Sequence, residues 1–110
     1  MKHANNLFAL PDPLPEGEFF ETLMPASSVR VERIVSTGQF TPPGVWLEED
    51  VDEWVALLQG SAAIGYEDQR MVELEQGDWI LIPAHTRHRV VSTTADPPCV
   101  WLAIHGKLRK

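Results

Sequence analysis

The sequence predicts a single all-β domain of the antiparallel sandwich or barrel type. Short apolar runs recur about every 8–12 residues, and turn-forming residues separate them. No stretch of ten or more residues keeps a helical period of 3.6 without Pro or Gly. A chain of 110 residues has room for one core only. We therefore expect one domain over residues 28–110, preceded by an extended, irregular arm over residues 1–27.

Turn and proline positions give the order of the elements. Four prolines exclude a long helix from the arm, where only a short strand or turn is expected around residues 18–23. Residues 38–44 contain two glycines and two prolines and are expected to form a loop. Strands are predicted at residues 29–32, 52–58, 62–66, 71–74, 79–82, 88–93 and 100–105.

Charge and composition exclude several classes of partner. Nine basic residues against sixteen acidic ones leave a formal charge of −7 at pH 7. Nucleic acid and anionic membranes both require a basic surface, so neither is an expected partner. Cys99 is the only cysteine and has no internal partner for a disulfide. With no apolar segment long enough for a signal peptide or a membrane helix, we predict a cytoplasmic protein.

The strand predicted over residues 52–58 is apolar on both faces. Such a strand needs cover on each side, one from the domain interior and one from a second layer or a partner subunit. Trp54 and Trp101 are large rings that would suit a homodimer interface, although the core of the monomer would accommodate them equally well. We predict a homodimer, to which the proline-rich arm could contribute by adding to the sheet edge of the partner.

Candidate functional residues are concentrated in two segments. In the first, residues 48–53, five of six side chains are acidic, which by itself is typical of a solvated surface. If the following strand extends back to Glu49, however, Glu49 and Glu53 share a face with Val55. A carboxylate on an apolar face is costly unless it is paired, hydrogen-bonded or bound to a metal. In the second segment, residues 77–88, alternation places His88 on the same face as Val90, and His85 lies in the turn before it.

These segments resemble the two motifs of the cupin superfamily. The second motif, G-x5-P-x-G-x2-H-x3-N, is matched by Gly77, Pro83 and His88, with His85 and Ser92 where the family has Gly and Asn. The first motif, G-x5-H-x-H-x3/4-E-x6-G, is matched only in its later half, by Glu53 and Gly60. Leu47 and Glu49 stand where the family has its two histidines. The resemblance covers about residues 29–105 and implies a double-stranded β-helix, or jelly-roll barrel.

The resemblance also implies a divalent metal inside the barrel. In the family the two histidines, the glutamate and the later histidine hold the ion, and only Glu53 and His88 match these positions. Glu49 could replace one histidine, and His85 and His105 are further candidates. Oxygen-rich ligands would favour Mn, Fe(II) or Mg, with Zn as another possibility. The alternative is a degenerate site in which Glu53 and His88 pair directly without a metal.

Three functions remain open on these observations, and we favour the first, because a nearby cation best explains the dense acidic cluster. The first is a metal-dependent enzyme, such as a small oxygenase or isomerase, that binds a small molecule in the barrel interior. The second is a metal-free enzyme in which His88 is the general acid or base and Glu53 orients it. The third is a small-molecule binding or sensing module without chemistry. The sequence does not identify the ligand.

Overall fold

A computed structural model describes residues 4–24 and 28–110, and the described chain contains strands but no helix. In chain order the eight strands are β1 (Phe19–Thr22), β2 (Val29–Ser36), β3 (Asp52–Gln59), β4 (Ala62–Tyr66), β5 (Met71–Leu74), β6 (Trp79–Ile82), β7 (His88–Thr93) and β8 (Cys99–Gly106). Each of the seven strands predicted within residues 28–110 is present, and β1 falls where a short strand or turn was expected. The all-β prediction is confirmed.

The strands form two antiparallel sheets. The larger has the order β1-β2-β8-β3-β6 and the smaller the order β5-β4-β7. Their facing sides enclose a core of buried side chains that includes Val55, Leu57, Ile64, Ala103 and Trp101. Alternation along each strand directs every second side chain into this space, which is how a sandwich buries one face of each sheet.

Gly60 permits the tight connection between β3 and β4. Its φ is +92°, a left-handed conformation that side chains with a Cβ rarely adopt. A Cβ at this position would lie 2.7 Å from Thr94 Oγ1 and 2.8 Å from Cys99 Sγ. Glycine is therefore required here both by backbone conformation and by space.

The arm packs on the outer side of the larger sheet. Arg33 of β2 is buried, and its Nη1 donates to the carbonyl oxygens of Leu7 at 3.0 Å and Ala9 at 2.9 Å. Its Nη2 lies 2.9 Å from the carboxylate of Glu21 in β1. Further hydrogen bonds from Ser36 Oγ to Glu18 and from Gln39 Nε2 to the carbonyl oxygen of Glu16 also hold the arm. β1 extends the sheet of its own chain. Pro25, one of the four prolines of the arm, lies outside the described residues.

The two tryptophans proposed for a dimer contact lie on opposite faces of the larger sheet. Trp101 is only 4% exposed, and its Nε1 donates to Ser36 Oγ at 3.1 Å. It belongs to the core, the second of the two locations that the sequence left open for it, because odd positions of β8 face inward. Trp54 lies on the outer face beside the exposed Trp79, with ring centroids 5.7 Å apart. Homodimer formation through this face stays a prediction.

None of the described segments is a helix long and apolar enough to cross a membrane. The cytoplasmic location stays a prediction.

Asp52 connects the start of β3 to the C-terminal segment. Its carboxylate, 6% exposed, accepts hydrogen bonds from the backbone N–H groups of Ala84 at 2.9 Å and Leu108 at 3.3 Å. Arg109 adds a two-point contact, with Nη2 at 3.0 Å and Nε at 3.2 Å. Hydrogen bonding by Arg109, and then by Ala84, lowers the pKa of Asp52 from 3.8 to about 2.

We predict that Arg109→Ala raises the pKa of Asp52 and lowers the free energy of unfolding near neutral pH, by an amount that shrinks as the pH falls towards 2. Because the folded pKa lies below the unfolded value, this contact stabilises the fold above about pH 3.8 and is lost as the pH falls towards 2. Urea unfolding between pH 2 and 7 measures the effect. Arg70→Ala, which removes an exposed pairing with Asp68, is the control. If the two variants show the same pH dependence, Asp52 does not have this role.

Candidate active site

The space between the two sheets contains a cavity of about 600 Å³. Its deeper wall is apolar and consists of side chains from both sheets: Ile34, Val55, Ile64, Ile82, Val90 and Trp101. Its open end is lined by charged side chains and by the loop between β2 and β3. A concave apolar site with a few convergent polar groups is the usual form of a small-molecule site.

Strand register places three charged or polar side chains in one row near the open end. Arg30 of β2 pairs with His105 of β8, and His105 pairs with Glu53 of β3. Cross-strand partners project on the same face of a sheet, so all three project towards the cavity. Two residues further along, the row contains Glu32, Ala103 and Val55. Along these strands the wall therefore changes from three charged or polar side chains in one row to a single charged side chain, Glu32, in the next.

His88 reaches the cavity from the smaller sheet, opposite Glu53. Its Nδ1 lies 2.9 Å from the carbonyl oxygen of Thr86, a contact in which Nδ1–H donates. This hydrogen bond favours the tautomer whose Nε2 is a free acceptor facing the cavity. Nε2 lies 3.8 Å from Glu53 Oε1, and the two side chains are 7% and 16% exposed. The structure thus brings together Glu53, which matches the first family motif, and His88, which matches the second.

Burial raises the pKa of the Glu53 carboxyl above its ordinary value of 4.5. Positive charge on His105 and His88 would oppose this shift, and the neighbouring carboxylates of Glu49 and Glu32 add to it. A buried carboxyl with a raised pKa retains its proton at higher pH and is able to act as an acid. The Glu53 carboxyl, with its raised pKa, and the His88 ring therefore face each other across one cavity.

Glu49 reaches the cavity from a loop and not from a strand. β3 begins at Asp52, so the expectation that this strand extends back to Glu49 is wrong. The loop instead runs along β7, where Leu47 and His88 exchange backbone hydrogen bonds of 2.7 and 3.0 Å. The carbonyl oxygen of Glu49 accepts from the N–H of His85 at 2.7 Å. These bonds direct the Glu49 side chain towards His105.

His105 is a central residue of this site, whereas the sequence indicated it only as a further candidate ligand. It is 5% exposed, with Nδ1 at 2.8 Å from Glu49 Oε2 and Nε2 at 3.1 Å from Glu32 Oε1. Its Nε2 also lies 3.7 Å from Glu53 Oε2. The sequence signal for this role was the alternation in β8, which places His105 on the same inward face as Trp101. No sequence signal indicated Glu32, because a glutamate that alternates with Val29 and Val31 is expected to face solvent.

His85 lies outside this site. Its side chain is 70% exposed and its Nδ1 is 3.9 Å from Glu48 Oε2. Its φ is +63°, in the left-handed region that favours glycine. This conformation explains why a glycine suits the corresponding position of the second motif. The side chain at this position projects out of the turn, so the structure does not bring His85 to the candidate metal ligands.

The donor set does not fit a tightly held metal ion. Over residues 4–24 and 28–110, no group of three or more His, Cys, Asp or Glu side chains is arranged to hold one. Leu47 offers no donor where the family has a histidine, and both ring nitrogens of His105 face carboxylates. Glu53 and the Nε2 of His88 remain, and two protein ligands are fewer than the three or four that such sites normally use.

We predict that Glu53→Gln stabilises the protein near neutral pH. A raised pKa means that the folded state retains a proton that the unfolded chain releases, so stability falls as the pH rises from about 4.5 towards the folded pKa. Gln keeps the shape and removes this dependence. Urea unfolding between pH 3.5 and 8 should show a higher free energy of unfolding at pH 7 and little difference at pH 3.5.

The exposed Glu67→Gln is the control for this prediction, since its side chain is 54% exposed. Equal destabilisation of Glu53→Gln at every pH would contradict a raised pKa of the Glu53 carboxyl in the folded protein.

Comparison with known proteins places the fold in a family. The model of the cupin domain family matches residues 33–105. A candidate mannose-6-phosphate isomerase from Ralstonia eutropha JMP134 is 42% identical, with a TM-score of 0.85 over 96% of this chain and 98% of that one. No curated protein matches the chain significantly.

More distant structures share the fold. A cupin superfamily protein from Desulfitobacterium hafniense DCB-2 is 19% identical, with a TM-score of 0.69 over 92% of this chain and 97% of that one. An RmlC-like cupin with a double-stranded β-helix fold, from Methanocaldococcus jannaschii, is 14% identical, with a TM-score of 0.66 over 84% and 82%. The predicted barrel architecture is confirmed, and the chain belongs to the cupin domain family.

Proposed function

We propose that this chain is a metal-free isomerase that moves a proton between adjacent carbon atoms of a small hydroxy-carbonyl compound. The observation that carries the proposal is the pairing of the His88 Nε2 with the Glu53 carboxyl, 3.8 Å apart in the cavity between the two sheets. The 42% identical neighbour, a candidate mannose-6-phosphate isomerase, supports the reaction class. Such reactions need one base for a C–H proton and one acid for the carbonyl oxygen.

In the proposed reaction, neutral His88 removes the proton from the carbon next to the carbonyl group. Glu53 donates its proton to the carbonyl oxygen at the same time, so the substrate becomes a neutral enediol. His88 is then an imidazolium beside the Glu53 carboxylate, and their opposite charges stabilise this state. Glu53 next takes the proton of the other hydroxyl group, and His88 returns its proton to the neighbouring carbon. Both residues end in their starting forms.

Two features of the cavity support this chemistry. The Nδ1–H bond to Thr86 holds the His88 ring in one orientation and one tautomer. The apolar wall around Val55, Ile82 and Trp101 keeps water away from the pair and raises the pKa of Glu53. A solvated carboxyl would be ionised at neutral pH and could not donate a proton.

We predict that His88→Gln abolishes proton exchange at the substrate carbon. The test follows exchange of C–H hydrogen for deuterium in D₂O by proton NMR, with dihydroxyacetone, mannose and fructose as probes. The variant should lose a factor of about 10²–10⁴ in rate, the usual contribution of a general base. His85→Gln changes an exposed histidine outside the cavity and should leave the rate unchanged.

Two outcomes would overturn the isomerase proposal. One is full activity in His88→Gln, and the other is an absence of exchange in the wild-type protein with all three probes. If a probe raises the melting temperature without exchange, the cavity is a binding or sensing site, which is the alternative function.

A divalent ion, Mn, Fe, Mg or Zn, is the second candidate, because Glu53 and His88 occupy two of the family's ligand positions. It would make a metal-dependent isomerase or a small oxygenase possible. We predict that protein purified without a polyhistidine tag, then exposed to each ion and dialysed, retains less than about 0.1 equivalent. Retention of one equivalent in the wild type and its loss in His88→Gln would replace the metal-free proposal with a metal-dependent one.

A further inference from the structure

We infer that the cavity admits a small polyhydroxy or amino compound and excludes phosphate esters and other anions. The inference deepens the proposed function, because it takes the cavity as the substrate site. It also separates this chain from the substrate named for its 42% identical neighbour, since mannose 6-phosphate is an anion.

The cavity wall is acidic. Five glutamates line it, Glu18, Glu32, Glu48, Glu49 and Glu53, and Arg30 is the only Lys or Arg side chain among its described lining residues. Phosphate sites in proteins are normally built from basic side chains or from a cluster of backbone N–H groups. The lining of this cavity lacks a basic cluster.

Arg30 is not free to hold a phosphate group. Its Nε lies 3.7 Å from Glu32 Oε2, and its Nη2 lies 3.6 Å from Glu49 Oε1. The same two carboxylates also flank the ring of His105, at 3.1 and 2.8 Å. Arg30 and the His105 ring are therefore already in contact with carboxylates of the wall. A phosphate would have to displace one of these contacts and approach the remaining negative charges.

His88 indicates which chemical group of a ligand would bind in the cavity. Its side chain is only 7% exposed, and its Nε2 faces the cavity. Within the described chain its Nδ1 is bonded to Thr86, whereas Nε2 has no partner closer than Glu53 Oε1 at 3.8 Å. The Nε2 atom is accessible from the cavity, so a hydrogen-bond donor of a ligand can reach it. A hydroxyl or an ammonium group of the ligand would supply that donor, and a phosphate dianion would not.

Repulsion from the acidic wall is large enough to discriminate between anionic and uncharged ligands. At an effective dielectric constant of about 20, two like unit charges about 7 Å apart change an affinity by tenfold or more. A phosphate ester carries up to two negative charges. We therefore expect it to bind at least about tenfold more weakly than the same compound without phosphate, and the gap to narrow in high salt.

The first experiment measures the charge preference of the cavity with nitroxide probes. The cationic 3-aminomethyl-PROXYL and the anionic 3-carboxy-PROXYL are compared by the relaxation that they cause at the His88 Hε1 proton and at the amide protons of Thr41 and Leu47. We expect the cation to be enriched over the anion at all three positions. Equal effects, or enrichment of the anion, would overturn the inference.

Matched variants test whether the wall causes the preference. Glu48 and Glu67 both bond to Arg87, at 3.2 and 2.9 Å, but of these two only Glu48 lines the cavity. Glu48→Gln should lower the ratio of cation to anion effects about twofold, and Glu67→Gln should change it by less than half as much. An equal change in both variants would assign the preference to the net charge of the protein and contradict a role for the wall.

The second experiment compares mannose, mannosamine and mannose 6-phosphate by NMR titration of the His88 ring. Binding in the order mannosamine, mannose, mannose 6-phosphate supports the inference, and tighter binding of the phosphate overturns it. Failure of the isomerase proposal would appear differently. Deuterium exchange would then be absent or insensitive to His88→Gln, while the order of binding and the nitroxide preference would persist.

Discussion

Burial of one carboxyl group is the constraint on which the site depends. Glu53 lies on a strand whose inward positions are otherwise apolar, and it faces a histidine from the opposite sheet. An isolated ionised carboxylate in such a wall would be costly, so the group must keep its proton or be matched by nearby positive charge. His88 and His105 are placed to supply that charge. The balance between these states makes the pair suited to proton transfer.

The remaining charged groups of the cavity organise this pair. Arg30, His105 and Glu53 are adjacent because three strands pair in register, whereas Glu49 joins them through a loop held by backbone bonds to β7. Glu32 and Glu49 flank the His105 ring from two sides and fix its orientation. Pairing between β2, β8 and β3 thus fixes the positions of Arg30, His105 and Glu53 in this network.

Family membership and local chemistry carry different information about this protein. The cupin fold supplies two sheets that face each other and a cavity between them, and it hosts many chemistries. Replacement of the two motif histidines by Leu47 and Glu49 changes the site from a set of metal donors to a histidine–carboxyl network. The acidic wall then favours ligands that donate hydrogen bonds. The resemblance to the family implies a metal, whereas the side chains present support the acid–base chemistry proposed above.

The sequence by itself determined the strands, because turn residues are local signals that bound each apolar run from β2 to β8, even where a run such as β3 is apolar on both faces and shows no alternation. Motif spacing also identified Glu53 and His88. Only tertiary structure decided which other groups meet them. His105 and Glu32 become neighbours through pairing of β2 with β8, and Glu49 through a loop, at separations along the chain that periodicity does not encode. The sequence proposed His85 as a metal ligand, but the left-handed backbone conformation of its turn directs the side chain away from the cavity.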